Sequence, residues 1–153
     1  MCKLLLQDDL VLLDYAAKDS EALLFNLAML LKEKGYVKDS YPQAIIEREK
    51  AFPTGLNTPG VKVVMPHTDP VHVNKAAILF AKLQKPVDFK EMGNSGNLVK
   101  ANLVFMLAVS DPKEHLAALS KLMSIFSNGE KLLEIYQSKT GGEVVRQLNE
   151  ILA

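Results

Sequence analysis

The amino-acid sequence predicts an α/β fold in a single domain, with a mixed sheet of about five strands flanked by helices on both faces. Apolar runs of strand length alternate along the chain with segments whose apolar residues recur at helical spacing. The chain has 153 residues, of which 48% are hydrophobic, so it can bury one core and has hardly room for a second domain. We therefore expect residues 1–153 to form one domain.

The N-terminal part of the chain is predicted to contain a strand followed by a helix. The apolar run over residues 10–15 predicts the strand. The segment beginning at Asp19 opens the helix, in which leucines recur on one face. Gly35 is expected to end this helix, because glycine readily adopts the left-handed conformation of a helix terminator.

A second helix is predicted over residues 41–51 and is followed by a loop and a short strand. Ser40 and Gln43 have the spacing of a capping box, which satisfies backbone N–H groups at a helix start. Residues 52–60 are rich in proline, glycine, threonine and asparagine and predict a loop. The apolar residues 61–65 then predict a strand.

The middle of the chain is predicted to supply the longest strands. After a polar loop at 68–74, the apolar run over residues 76–83 predicts one strand. Residues 86–89 are expected to pair at a sheet edge, because they contain a proline. A flexible turn at 92–97 precedes a long apolar strand at 102–109.

The C-terminal part is predicted to be helical. Asp111 as N-cap and Pro112 at the first helical position open a helix that continues through Phe126. A short helix is expected at 130–137, and Thr140 caps a final helix.

Composition and charge exclude several classes of protein. Eighteen lysines and arginines balance eighteen aspartates and glutamates. The sequence has no basic tract, which argues against binding to nucleic acid or to an anionic membrane. No apolar run approaches the roughly 18 residues of a transmembrane helix, and the early acidic residues do not fit a signal peptide. Cys2 is the single cysteine, so no disulfide framework is expected. A cytoplasmic protein without membrane insertion is predicted.

His67 is the first candidate for chemistry. It directly follows a buried strand and Pro66, a position at which ligands collect in α/β sheets and at which the ring is held rigidly. The alternative is a half-buried histidine that only satisfies a turn. His72, in the loop that follows, is better explained by simple exposure.

Two further side chains could bind an anion. His115 lies in the first turn of the helix that Asp111 opens, where unpaired N–H groups and a partial positive charge favour phosphate or carboxylate. The alternative is that His115 is an ordinary solvated helix residue. Arg48, near the end of the second helix, could donate two parallel N–H bonds to a phosphoryl group. An ordinary ion pair of Arg48 with Glu47 or Glu49 is equally compatible with the sequence.

Several known site types are absent from the sequence. No Walker loop, GxGxxG fingerprint or GxSxG elbow occurs, which argues against nucleotide chemistry and serine hydrolysis. Three histidines without a carboxylate or cysteine at ligand spacing make a weak zinc site. We expect neither a cofactor nor a metal.

Four motifs occur in a characteristic order: IIERE at 45–49, PTGL at 53–56, VVMPH at 63–67 and HLAAL at 115–119. In this order and spacing they resemble the enzyme IIA domain of the bacterial sugar phosphotransferase system, mannitol/fructose class. The resemblance extends over nearly the whole chain. The sequences FPTGL, HTDPVH and KPVDF are closest to the galactitol-type branch.

This resemblance implies a function and a set of site residues. His67 would accept a phosphoryl group from HPr and pass it to a cysteine of enzyme IIB, with enzyme IIC acting indirectly at the membrane. His115 would be the second active-site histidine, and Arg48 would position His67 or its phosphate. Thr54 matches the threonine beside that site, whereas Glu49 is expected to have a structural pairing role.

The sequence departs from the usual family pattern before His67, and the resemblance leaves the sugar and the choice between transport and regulation open. The strand before His67 reads VVMPH where the family often has IAIPH, so Val64 and Met65 are bulkier. The sugar would be galactitol or a related polyol or pentose. A regulatory module that is phosphorylated and signals to a protein partner is the alternative to transport. Partners are expected to contact Met65, Val71 and the loop before the strand.

Overall fold

Five strands form one sheet in the computed structural model, which describes residues 7–58, 60–93 and 95–152, with only the backbone of Asp8 and His115. The strands are β1 (Val11–Tyr15), β2 (Gly55–Leu56), β3 (Val63–Val64), β4 (Ala77–Lys90) and β5 (Leu98–Ala108). Their order is β1-β4-β5-β3-β2. β1 is parallel to β4 and β3 is parallel to β5, whereas β4 with β5 and β2 with β3 are antiparallel. The predicted mixed sheet of five strands is confirmed.

Helices cover both faces of this sheet, as predicted. They are α1 (Ser20–Glu33), α2 (Tyr41–Ala51), α3 (Pro112–Phe126), α4 (Gly129–Tyr136) and α5 (Gly141–Leu152), with short 3-10 turns at Asp8–Leu10 and Pro70–His72. One core lies between the sheet and α1 with α2, and the other lies between the sheet and the last three helices. Within the described ranges, none of these helices has the length and apolarity required to cross a bilayer.

Local side-chain chemistry determines where most helices begin and end. The Asp19 side chain accepts a hydrogen bond from the N–H of Ala22, and the Asp111 side chain accepts one from Lys113. Gly35 has a φ of 85° just after α1, a conformation that favours glycine. The hydroxyl of Thr140 accepts from the N–H of Glu143 at the start of α5. These predicted boundaries are confirmed.

The predicted capping box at Ser40 is wrong. Ser40 has helical backbone angles and makes no side-chain cap hydrogen bond. Its hydroxyl lies 2.8 Å from Nδ1 of His72, and the side chain of Gln43 donates to Glu47. The start of α2 is instead held by Tyr41, whose buried hydroxyl donates to the carbonyl of Leu107 in β5 at 2.7 Å.

Strand bounds also differ from the predictions. Residues 86–89 are not a separate edge strand but the second half of β4, and Pro86 lies where the pairing with β5 changes register between Lys82 and Val87. β5 begins at Leu98, four residues earlier than predicted, because it pairs with this extension of β4. The loop predicted at 52–60 contains β2, and the strand predicted at 61–65 is ladder-paired only at Val63–Val64.

Candidate active site

A cavity of about 230 Å³ lies where the end of α2, the loop after it, the segment after β3 and the turn between β4 and β5 meet. Three of the residues singled out from the sequence line it together: Arg48, Thr54 and His67. The rest of its wall is made by Phe52, Pro53, Met92 and Gly93. Residues that are far apart in sequence are therefore brought to one small cavity by the end of β3.

The imidazole of His67 is held by its own strand. The carbonyl of Pro66 accepts a hydrogen bond from the N–H of Leu107 at 2.9 Å, which continues the pairing of β3 with β5. Nδ1 of His67 lies 2.9 Å from the carbonyl oxygen of Met65. A carbonyl can only accept, so Nδ1 carries the hydrogen and donates it. In the neutral ring the lone pair is therefore on Nε2.

Burial lowers the pKa of His67 below its ordinary value of 6.5, because the charged ring is poorly solvated in this half-buried position. The hydrogen bond to Met65 opposes this effect. The positive charge of Arg48 lowers the pKa further, whereas the negative charge of Asp69 raises it. His67 is thus a neutral imidazole at pH 7, which is the nucleophilic form.

Arg48 lines the cavity with a positively charged side chain, and its guanidinium packs on an aromatic ring. Its guanidinium carbon lies 4.3 Å from the centre of the Phe52 ring, a cation–π contact that fixes the side chain on one side. Glu47 accepts a hydrogen bond from Gln43, and Glu49 accepts from Thr54. Within the described part of the chain, Arg48 takes part in none of the salt bridges. The ion-pair alternative for Arg48 is therefore not what the structure contains.

Thr54, on the cavity wall, forms a buried hydrogen-bonded pair with Glu49. The backbone N–H of Thr54 donates to Oε2 of Glu49 at 2.8 Å, and the Thr54 hydroxyl donates to Oε1 at 2.7 Å. Both side chains are buried, with Thr54 only 3% exposed. Burial raises the pKa of Glu49 to about 7, although the two hydrogen bonds from Thr54 lower it.

A close approach of two backbone segments requires glycine at position 55, directly after Thr54. A Cβ at this position would lie 2.6 Å from the carbonyl oxygen of Lys90 at the end of β4. The carbonyl of Gly55 accepts a hydrogen bond from the N–H of Met92 at 2.8 Å. This close approach of two backbones brings Met92 and Gly93 to the cavity.

The other two histidines are placed differently. His115 lies in the first turn of α3, as predicted, but its side chain is outside what the structure describes. His72 lies in the 3-10 turn and contacts Ser40, and it is not part of the cavity wall. Half-buried and hydrogen-bonded, it is not simply exposed as predicted.

Sequence reasoning missed several functional contacts. The role of the Met65 carbonyl left no signal in the sequence, because every residue has a backbone carbonyl. The expectation that partners contact the Met65 side chain is wrong, because Met65 is only 2% exposed. Glu49 was named and expected to have a pairing role, but its partner Thr54 was not predicted, although the helical spacing of Glu49 from Ile45 and Ile46 places it on the buried face of α2. Met92 left no signal, since a contact with the distant loop depends on the tertiary fold.

Comparisons with known proteins point to one family. Residues 4–151 match the family model of the phosphoenolpyruvate-dependent sugar phosphotransferase system, EIIA 2. A galactitol-specific EIIA component of Escherichia coli K12 is 32% identical over 101 residues, which cover 66% of this chain and 67% of that protein. A mannitol-specific enzyme IIA component of Geobacillus stearothermophilus is 31% identical over 125 residues, covering 80% and 79%.

A solved structure supports the fold. The protein superposes on one chain of the complex of enzyme IIAMtl and phosphorylated enzyme IIBMtl from Escherichia coli with a TM-score of 0.76, at 23% identity. The match covers 95% of this chain and 97% of the matched chain. The sheet and its helices are therefore those of enzyme IIA proteins of the mannitol type.

Proposed function

Because the chain belongs to the EIIA 2 family of the phosphoenolpyruvate-dependent sugar phosphotransferase system, we propose that it carries a phosphoryl group on Nε2 of His67. The donor is HPr, and the acceptor is a cysteine of enzyme IIB during sugar uptake. The observation that carries this proposal is the hydrogen bond from Nδ1 of His67 to the Met65 carbonyl, which leaves the lone pair of a neutral ring on Nε2.

This arrangement allows transfer without moving a proton on the ring. The Nε2 lone pair forms a bond to phosphorus while the bond between phosphorus and the donor's histidine nitrogen breaks, and that nitrogen keeps the electron pair. The Nδ1 hydrogen stays on the ring, bonded to the Met65 carbonyl. In the onward step a cysteine thiolate bonds to phosphorus and the electron pair returns to Nε2. A neutral imidazole therefore leaves, which is easier than expelling an imidazolate.

Positively charged and hydrogen-bonding groups would stabilise the phosphoryl group in the cavity. Arg48 lies on its wall with a planar guanidinium suited to phosphoryl oxygens. His115 lies in the first turn of α3, where the backbone carries the partial positive charge of a helix N-terminus. We assign His115 to the second active-site histidine and Thr54 to the positioning of phosphate. Electrostatic matching of this kind is the main protein contribution to phosphoryl transfer.

The similar proteins suggest the wider role. The galactitol- and mannitol-specific relatives point to a sugar alcohol, so we propose galactitol or a related polyol or pentose as the transported sugar. The matched complex contains a phosphorylated enzyme IIB, which supports an enzyme IIB as acceptor. The transporting enzyme IIC would take part only through that acceptor, and the location would be the cytoplasm.

Intact-mass analysis after incubation with phosphoenolpyruvate, enzyme I and HPr tests the proposal. We expect one acid-labile phosphoryl adduct, which is lost in His67→Ala because the accepting nitrogen is removed. His72→Ala is the matched control and should keep the adduct, since His72 is not part of the cavity wall. His115→Ala should be labelled more slowly but at the same site. An adduct that persists in His67→Ala would overturn the assignment.

A further inference from the structure

In the Glu49–Thr54 pair, Oε1 of the carboxylate can change from hydrogen-bond acceptor to donor, whereas Oε2 remains an acceptor. The backbone N–H of Thr54 can only donate, so Oε2 of Glu49 must accept whatever the protonation state. A hydroxyl can donate or accept, so Oε1 can either accept from Thr54 or carry a proton and donate to Thr54. A proton on Oε1 keeps both hydrogen bonds, whereas a proton on Oε2 would weaken its acceptance from the Thr54 N–H. Protonation of Glu49 is therefore favoured at Oε1, toward the Thr54 hydroxyl.

Such a proton would reverse the direction of the Thr54 hydroxyl. With Glu49 ionised, the hydroxyl hydrogen is used at Oε1, 2.7 Å away. With Oε1 protonated, the carboxylic acid donates to Oγ1 and the hydroxyl hydrogen turns to another acceptor. Thr54 lies on the wall of the same cavity as His67 and Arg48, so a phosphoryl oxygen on His67 is the acceptor available there.

We propose that Glu49 is a positioning residue that acts through Thr54 and changes its protonation with the phosphorylation of His67. When His67 carries no phosphoryl group, ionised Glu49 accepts the Thr54 hydroxyl hydrogen. When the phosphoryl group arrives, ionised Glu49 takes up a proton from solvent at Oε1, and Thr54 donates to a phosphoryl oxygen. No other proton moves in this step, and the proton returns to solvent when the phosphoryl group leaves. This inference rests on the proposed function, because it needs His67 as the phosphoryl carrier.

Burial and charge favour this switch. The two Glu49 oxygens accept from Thr54 alone among the hydrogen bonds of the described residues, so no cation holds the carboxylate ionised. Its pKa of about 7 lets a small electrostatic change protonate it at neutral pH. The negative charge of a phosphoryl group on His67 is such a change, because it disfavours a second anion nearby.

Other charged groups surround Glu49 and must be accounted for. Glu21 of α1, Lys50 of α2 and Lys90 of β4 line a groove that Glu49 also lines and Thr54 does not. Lys50 lies 3.7 Å from Glu21 there. Arg48 and His67 lie on the cavity side. All five groups are present in every variant compared below, so their own effects cancel in the comparison.

The test is the pH dependence of the phosphotransfer equilibrium with HPr. Wild-type protein and Glu49→Gln are equilibrated with HPr and phosphorylated HPr between about pH 6.5 and about pH 8.5, and the phosphorylated fraction is measured by mass. Glutamine keeps the acceptor for the Thr54 N–H and donates to Oγ1, so it imitates the protonated acid at every pH. Dividing the wild-type equilibrium constant by that of Glu49→Gln removes the pH dependence of HPr itself.

We expect this ratio to fall about fivefold from the lowest to the highest pH, because phosphorylation favours the protonated form of Glu49, which a rising pH removes. Fewer than one proton is taken up on average, because a pKa of about 7 leaves part of Glu49 protonated before the phosphoryl group arrives. Thr54→Ser should keep this fall, because it retains the hydroxyl. Thr54→Val should lose it and should be phosphorylated less at all pH values. Parallel wild-type and Glu49→Gln profiles would overturn the inference, and so would a Thr54→Val profile like that of wild type.

The two proposals fail in different ways. If the wild-type protein gains no phosphoryl group at His67, the proposed function is wrong. If it is phosphorylated at His67 but the ratio does not change with pH, the function holds and only the role of Glu49 is wrong. A purely structural role for Glu49 would lower the equilibrium constant of Glu49→Gln equally at all pH values.

Discussion

At the scale of single residues, burial and one backbone hydrogen bond determine the chemistry of His67. Burial disfavours the charged imidazolium and so lowers the pKa of His67, which keeps the ring neutral. The Met65 carbonyl then selects which nitrogen holds the hydrogen. Burial and this backbone hydrogen bond together therefore make Nε2 the reactive nitrogen of a neutral ring.

The lowered pKa of His67 predicts the pH range over which the protein accepts phosphate. Because the folded-state pKa lies below 6.5, the ring stays neutral at pH values where an ordinary histidine is already half protonated. We expect an NMR titration of the His67 ring to have a midpoint below 6.5. Acceptance should decline only as the pH falls through that midpoint. A midpoint at or above 6.5 would show that burial does not dominate.

At the scale of elements, the two-residue strand β2 determines the shape of the cavity. Gly55 lets β2 lie against the end of β4, which places Thr54 beside the turn that carries Met92. A side chain at Gly55 would collide with backbone, which cannot move without displacing β4. The short strand and the cavity are therefore one structural unit.

Gly55→Ala should damage this unit. The new Cβ would lie 2.6 Å from the Lys90 carbonyl oxygen, so we expect the free energy of unfolding to fall by about 2 kcal/mol or more. Gly142→Ala in the first turn of α5 is the matched control, because its Cβ would meet nothing closer than 4.0 Å. That variant should be neutral or stabilised by up to about 1 kcal/mol. Urea unfolding of both variants measures this, and equal stabilities would contradict the account.

The sequence predicted elements well where the signal is local. Asp19 and Asp111 cap helices and Gly35 ends one, because each acts on backbone groups within a few residues. The capping box at Ser40 failed because a tertiary partner, His72, competes for the hydroxyl. β2 was missed because two residues of ladder pairing leave no periodicity in a loop-like sequence.

The residues of the candidate site were predictable from the sequence, but their arrangement in space was not. His67 and Arg48 were candidates from their positions in the sequence, and the family resemblance added Thr54. The structure places all three on one cavity. Their physical arrangement was not predictable, since it depends on a backbone carbonyl of Met65 and on the distant turn at Met92. Composition and periodicity carry no record of such contacts.

At the scale of the whole molecule, apolar side chains around the cavity remain exposed. Phe52 is 57% exposed and Met92 is 40% exposed, although both line the cavity beside His67. Val71, which was expected to contact partners, is also exposed. Transient interfaces need such apolar contacts around a reactive group, because the donor and the acceptor must bind in turn.

Met92→Ser tests whether this rim binds protein partners. The change removes apolar contact without adding charge, so we expect phosphoryl transfer from HPr to slow about threefold to tenfold. Labelling by phosphoramidate, a small donor that needs no docking surface, should remain unchanged. Leu133→Ser in α4 is the control, because Leu133 is similarly exposed but is not part of the cavity wall. An equal slowing with both donors would mean that Met92 acts on the chemistry rather than on docking.

The central claim is that Nε2 of His67 carries the phosphoryl group while Nδ1 keeps its hydrogen. A long-range proton–nitrogen NMR correlation of the protein labelled with ¹⁵N, recorded before and after phosphorylation, measures this directly. We predict a hydrogen on Nδ1 of His67 in the unphosphorylated protein and a phosphorus coupling at Nε2 afterwards. A phosphorus coupling at Nδ1, or at a ring other than that of His67, would contradict the account.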